Sequence, residues 1–116
     1  SCDFSSNGYN LATGSSDNTV RIWDLRKRRG GAAYTLLAHK KLVSNVMYQP
    51  HDGDFLFTSS YDKTVKIWSC RDYQPVKSLL GHEGRVMRVA VSSDRKKIAS
   101  SSFDRTWKLW VNEDAY

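Results

Sequence analysis

The sequence predicts an all-β fold built from repeated propeller blades, and three observations predict it. The segments 11–25 (LATGSSDNTVRIWDL), 56–70 (LFTSSYDKTVKIWSC) and 98–112 (IASSSFDRTWKLWVN) align without a gap. Their anchors Trp23, Trp68 and Trp110 lie 45 and 42 residues apart, the period of about 40–45 residues expected of one propeller blade. Each segment also alternates small, apolar and β-branched residues on both sides of an Asp, which is a hairpin pattern.

The elements follow in chain order. Asp17, Asp62 and Asp104 sit at the hairpin turns, where a short carboxylate accepts backbone N–H bonds two residues ahead. The strand-like runs 42–48 (LVSNVMY) and 85–91 (RVMRVAV) precede the second and third hairpins, behind the loops AHK and GHE. After the first two Trp come AAYTLL and PVKSLL, which read as outer strands. The repeating order is therefore an inner strand, a hairpin, an outer strand and a His-containing loop, with no helix required. This order places a partial blade at 1–38, mostly lacking its inner strand, a complete blade at 39–81, and a partial blade at 82–116 that lacks its outer strand. At about 43 residues per blade the chain amounts to about two and two-thirds blades, whereas closed propellers have four to eight. It reads as a fragment of a larger ring, whose open edges should make isolated copies self-associate.

Composition excludes several classes. The 116 residues are 40% hydrophobic and 26% charged, an ordinary globular balance, and no stretch approaches the roughly 18 apolar residues of a membrane span. Ser1 opens no basic and apolar leader pattern. Cys2 and Cys70 have no neighbouring Cys or His at metal spacing, so reduced thiols are expected and neither metal nor cofactor. The net charge of +6 favours encounter with an anionic partner.

The pattern GH, S/T-x-x-x-D and W resembles the WD-repeat family over essentially the whole chain. Ala38 departs from it by replacing the usual Gly before His39, and only Trp23-Asp24 spells the WD dipeptide. The strings DNTVRIWDLRKRR, GDFLFTSSYDKTVKIW, GHEGRVM and SSFDRTWKLW further resemble the last blades of the WD-repeat pre-mRNA processing factors of the spliceosomal U-four/U-six ribonucleoprotein particle. That resemblance implies a seven-bladed ring and a nuclear splicing scaffold that helps assemble the di-snRNP and tri-snRNP. It implies as partners other spliceosomal proteins, among them a second processing factor and a cyclophilin bound partly by regions outside this stretch, with snRNA phosphate contacts as a further option. A generic WD adaptor, such as a ubiquitin-ligase substrate receptor, is the alternative within binding proteins.

Ser or Thr, His and Asp together also invite a hydrolase reading. His39 can join Thr58, Asp62 and Trp68, while His82 can join Ser100, Asp104 and Trp110; Thr13, Asp17 and Trp23 repeat the set in the first blade. A catalytic site is usually single, whereas a structural hydrogen-bond network is copied from blade to blade, so no catalytic residue and no small-molecule substrate is expected. The hydroxyl lies either four residues before Asp (Thr13, Thr58, Ser100) or two before (Ser15, Ser60, Ser102). Both sets point to one strand face, and the first is preferred.

Two rims carry binding candidates. Arg26, Lys27, Arg28 and Arg29 with Arg95, Lys96 and Lys97 form a basic patch for phosphates or an acidic protein segment, interrupted by the acidic loop His51-Asp52-Gly53-Asp54. Solvated loops or, for the first run, a nuclear localisation signal explain the same residues. On the other rim Leu42, Ser44, Tyr61, Arg85, Met87 and Phe103 form the preferred protein-docking patch, because aromatic, Met and Arg side chains are enriched at interfaces. Packing of Tyr61 and Phe103 across neighbouring hairpins is its plain alternative.

Overall fold

Residues 1–27 and 32–111 are described by the computed structural model, and strands alternate with turns throughout. The first sheet consists of β1 (Cys2–Phe4), β2 (Asn10–Gly14), β3 (Val20–Asp24) and β4 (Tyr34–Leu36). The second consists of β5 (Val43–Tyr48), β6 (Phe55–Ser60), β7 (Val65–Ser69) and β8 (Pro75–Leu79). The third has β9 (Val86–Val91), β10 (Lys97–Ser102) and β11 (Trp107–Val111). Every sheet is an antiparallel meander in chain order. Among the described residues there is no helix, as the alternating pattern predicts.

The strands begin slightly later than the apolar runs, for a backbone reason. Leu42 and Arg85 precede β5 and β9 because their carbonyls accept the turn N–H groups of Tyr61 (3.0 Å) and Phe103 (2.8 Å). The hairpin turns are built alike. Thr19, Thr64 and Thr106 each donate a backbone N–H and a hydroxyl to the Asp two residues before. The residue between, Asn18, Lys63 or Arg105, takes a left-handed φ of 72–75°, and such a residue returns the chain into the next strand with the hairpin's twist.

The sheets stack face to face in a row of 42 × 30 × 19 Å. One core lies between the first two: Val20, Ile22 and Leu36 meet Val43, Val46 and Leu56. A second joins Phe57, Val65, Ile67 and Leu79 to Val86, Val89 and Ile98. Asn45, a polar residue inside the apolar run of β5, is buried and ties all three sheets together. Its Nδ2 donates to Ser1 Oγ at 3.1 Å, and its Oδ1 accepts the Val89 N–H at 3.1 Å.

Gly14 marks the closest approach of the first two sheets. A Cβ there would lie 2.7 Å from Val43 Cγ1 and 3.1 Å from Val46 Cγ1. Gly14→Ala is therefore expected to cost about 1–3 kcal/mol by overpacking. A urea midpoint equal to that of the parent would show that the sheets can separate to admit a methyl group.

Candidate functional site

The inward hydroxyl of each hairpin is the residue four before the turn Asp. The indole N–H of Trp23 donates to Thr13 Oγ1 at 3.0 Å, that of Trp68 to Thr58 Oγ1 at 3.0 Å, and that of Trp110 to Ser100 Oγ at 2.9 Å. These pairs lie diagonally across antiparallel strands, in β2/β3, β6/β7 and β10/β11, each Trp standing opposite the residue two before its hydroxyl partner. The other set of hydroxyls serves the turns. Ser60 Oγ donates to the Leu42 carbonyl and accepts the Asp62 N–H, while Ser15 and Ser102 accept those of Asp17 and Asp104.

In the second sheet the chain of bonds runs on to a carboxylate. Thr58 Oγ1 lies 2.8 Å from His39 Nε2, and His39 Nδ1 lies 2.9 Å from Asp62 Oδ2. Since the Thr58 oxygen already accepts from Trp68, its proton goes to Nε2, and the ring's own proton sits on Nδ1 and points to Asp62. Burial lowers the pKa of His39 despite the adjacent Asp62 charge, which keeps the ring neutral at pH 7. For Asp62, burial acts upward but is outweighed by the Thr64 hydroxyl, the His39 ring and the Lys40 N–H, leaving the carboxyl below its ordinary value.

The third sheet repeats the arrangement more loosely. His82 Nε2 is 2.7 Å from Ser100 Oγ, but Nδ1 stands 3.8 Å from Asp104 Oδ2. Asp104 is instead held by Thr106 and by the Glu83 N–H at 3.1 Å, and these bonds keep its carboxyl far below the usual range. In the first sheet Asp17 pairs with Arg21 at 3.1 Å, and the Thr19 hydroxyl and N–H lower its pKa to about 2.

Thr58 is fully buried and Ser100 is 1% exposed. Each hydroxyl has an indole donor on one side and an imidazole on the other, so no substrate carbonyl can approach it. The arrangement ties a loop, a turn and two strands together. Both imidazoles are buried neutral, with pKa values lowered by burial. The folded state therefore binds fewer protons than the unfolded one just below the ordinary histidine value of 6.5. Stability should be full above that value and fall as pH drops through the lower folded pKa values. Urea midpoints at pH 7.5 and pH 5 check the sign, and a higher midpoint at pH 5 would refute it.

One rim gathers three of the six docking candidates. The Arg85 guanidinium carbon lies 4.9 Å from the Tyr61 ring centre and 5.6 Å from that of Phe103. Leu42, whose carbonyl accepts the Tyr61 N–H, and Met87 are half-buried. Ser44 turns away into the joint between sheets, donating to the Val86 carbonyl at 2.6 Å. Pattern reading passed over Lys40, Lys41, Lys63 and Arg105, which are exposed on the loops and turns of this rim; their recurrence beside the His and after the turn Asp was the available signal.

On the opposite rim the basic patch is partly neutralised. Arg26 pairs with Asp24 at 3.2 Å and lies over Tyr9, and Arg95 pairs with Asp52 of the acidic loop. Lys27, Lys96 and Lys97 are exposed, while Arg28 and Arg29 lie outside the described residues. A cleft of about 470 Å³ opens between the first two sheets here, lined by Asn7, Asn10, Tyr48, Asp54, Cys70 and Tyr73. Burial pushes the Cys70 thiol up to about 12, so it is a poor nucleophile at neutral pH. No cluster of His, Cys, Asp and Glu fit for a metal occurs among the described residues.

Antiparallel meanders stacked face to face, each with the same indole-to-hydroxyl bond, define a repeat protein of propeller blades. Residues 1–24, 30–69 and 73–111 match the model of the WD domain, G-beta repeat. The chain belongs to that family, whose members are generally scaffolds for protein–protein interaction rather than catalysts. It is 52% identical over 64 residues to a U4/U6 small nuclear ribonucleoprotein PRP4-like protein of Arabidopsis thaliana, covering 55% of this chain and 12% of that protein. It is 42% identical over 87 residues to a ribosome biogenesis protein WDR12 homolog of Nematostella vectensis, covering 73% and 21%. Nuclear distribution protein PAC1 of Komagataella phaffii is 34% identical over 100 residues, covering 85% and 20%. The chain thus spans a minor part of each relative's length.

Proposed function

We propose that this chain is a non-catalytic segment of a nuclear splicing scaffold, contributing about two and two-thirds blades to a larger ring, a partial one at 1–38, a complete one at 39–81 and a partial one at 82–116. The observation that carries the non-catalytic reading is the buried hydroxyl of Thr58, held between an indole and an imidazole and repeated at Ser100. A nucleophile must reach its substrate, and these hydroxyls are buried beneath the indole and imidazole that they bond. Identity to the PRP4-like protein over 55% of the chain supports the splicing role, with spliceosomal proteins as partners and the Tyr61, Arg85 and Phe103 rim as the docking surface. Similarity to the WDR12 homolog over 73% of the chain favours a second reading, a WD adaptor in ribosome assembly.

Affinity capture of the tagged protein from nuclear extract, followed by mass spectrometry, separates the two. Enrichment of U4/U6 particle proteins is expected. Enrichment of pre-ribosomal proteins alone would replace the first reading by the second, and capture of cytoplasmic motor regulators alone would remove both.

A further inference from the structure

We propose that Arg85 anchors an acidic protein segment on the rim where the second and third sheets meet. The inference rests on the reading of this rim as a docking surface and specifies the chemistry of the partner. The Arg85 side chain is exposed yet held in place by contact with the rings of Tyr61 and Phe103. Among the described residues no carboxylate pairs with its guanidinium, whereas Arg21, Arg26 and Arg95 each have an acidic partner. An immobilised guanidinium with open N–H groups offers a planar fork that matches a carboxylate bidentately, and little side-chain entropy remains to be lost on binding.

The surroundings favour the same ligand. Lys40, Lys41, Lys63 and Arg105 are exposed on this rim. Two of its Asp residues are committed within their own blades, Asp62 to His39, Thr64 and the Lys40 N–H and Asp104 to Thr106 and the Glu83 N–H, while Asp17 is exposed and paired with Arg21. Outward charge is therefore mainly positive. Phe103 remains 70% exposed, which gives an apolar side chain next to the acid a surface to cover. A continuous RNA backbone fits less well, because the exposed carboxylates of Asp17 and Glu83 interrupt the cations and would face successive phosphates. A discrete Glu or Asp beside a Leu or Phe meets Arg85 and Phe103 without that repulsion.

The test measures binding of the chain to an array of short peptides in which one Glu is flanked by Leu or Phe, to the same array with Gln, and to oligouridine. The Glu peptides should bind, and the Gln peptides should bind about tenfold more weakly. Arg85→Lys keeps the charge but loses the fork, so it should also weaken binding about tenfold, Phe103→Ala should weaken it, and Lys77→Ala, on an outer strand, should not. Thermal melting of each variant checks that the exposed substitutions leave the fold intact. Equal binding of Glu and Gln peptides, or an Arg85→Lys variant equal to the parent, would overturn the proposal while leaving the docking reading in place. Arg85-dependent binding of oligouridine with no peptide bound would overturn it in favour of RNA. If Arg85→Gln and Phe103→Ala also left capture of every nuclear partner unchanged, the docking reading of this rim would fall with it.

Discussion

Thr58→Val is expected to destabilise the protein by about 2–4 kcal/mol, although the two side chains have nearly the same shape. The substitution removes the oxygen that accepts from Trp68 and the proton that goes to His39. Two polar groups in a dry environment are then left without partners, at about 1–3 kcal/mol each, less whatever local relaxation recovers. The same change at Thr13 should cost less, about 1 kcal/mol, since Thr13 is half-buried and bonds Trp23 alone. Denaturant midpoints of the two variants give the comparison. Equal small losses would mean that the imidazole contributes nothing to holding the loop, and the repeated network would lose its structural meaning.

Self-association is the second large expectation. On β11 the side chains of Trp107, Leu109 and Val111 are 71%, 52% and 59% exposed, and Phe4 on β1 is 62% exposed. In the second sheet the residues matching Trp107 and Leu109 are Val65 and Ile67, which are buried beneath β9 and β10. The outer face of the third sheet thus has the apolar character of a face that is covered elsewhere in the same molecule, and apolar surface of that extent drives association. Light scattering of the 116-residue chain should give a mass above that of the monomer, and Trp107→Lys with Leu109→Lys should restore the monomer. A monodisperse parent chain at high concentration would show that a single row of blades needs no cover.

The repeat made the fold legible. Trp23, Trp68 and Trp110 fix the blade spacing, and alternation around Asp17, Asp62 and Asp104 fixes the hairpins, because a strand's side chains alternate between two faces. That same alternation hid the inward hydroxyl. Thr58 and Ser60 lie on one face, and only depth in the sheet separates the one under His39 from the one that closes the turn. Ser44 was misleading for another reason: the pairing of β5 with β6 shifts register between Val43 and Asn45, and at this irregularity Ser44 reaches the Val86 carbonyl. The rim chemistry depended on pairings across loops. Arg95 meets Asp52 from the neighbouring blade, a contact that no spacing within one repeat announces.

Asn45 has a consequence for how the row of blades responds to force and to time. One amide joins Ser1 at one end to Val89 in the third sheet, so load applied to either flank is shared by all three sheets instead of peeling them off singly. The carboxamide is required in full, because one end must donate and the other accept. Spontaneous deamidation would exchange the donor for a buried anion beside Ser1, and an aged molecule would shear first between its first and second blades.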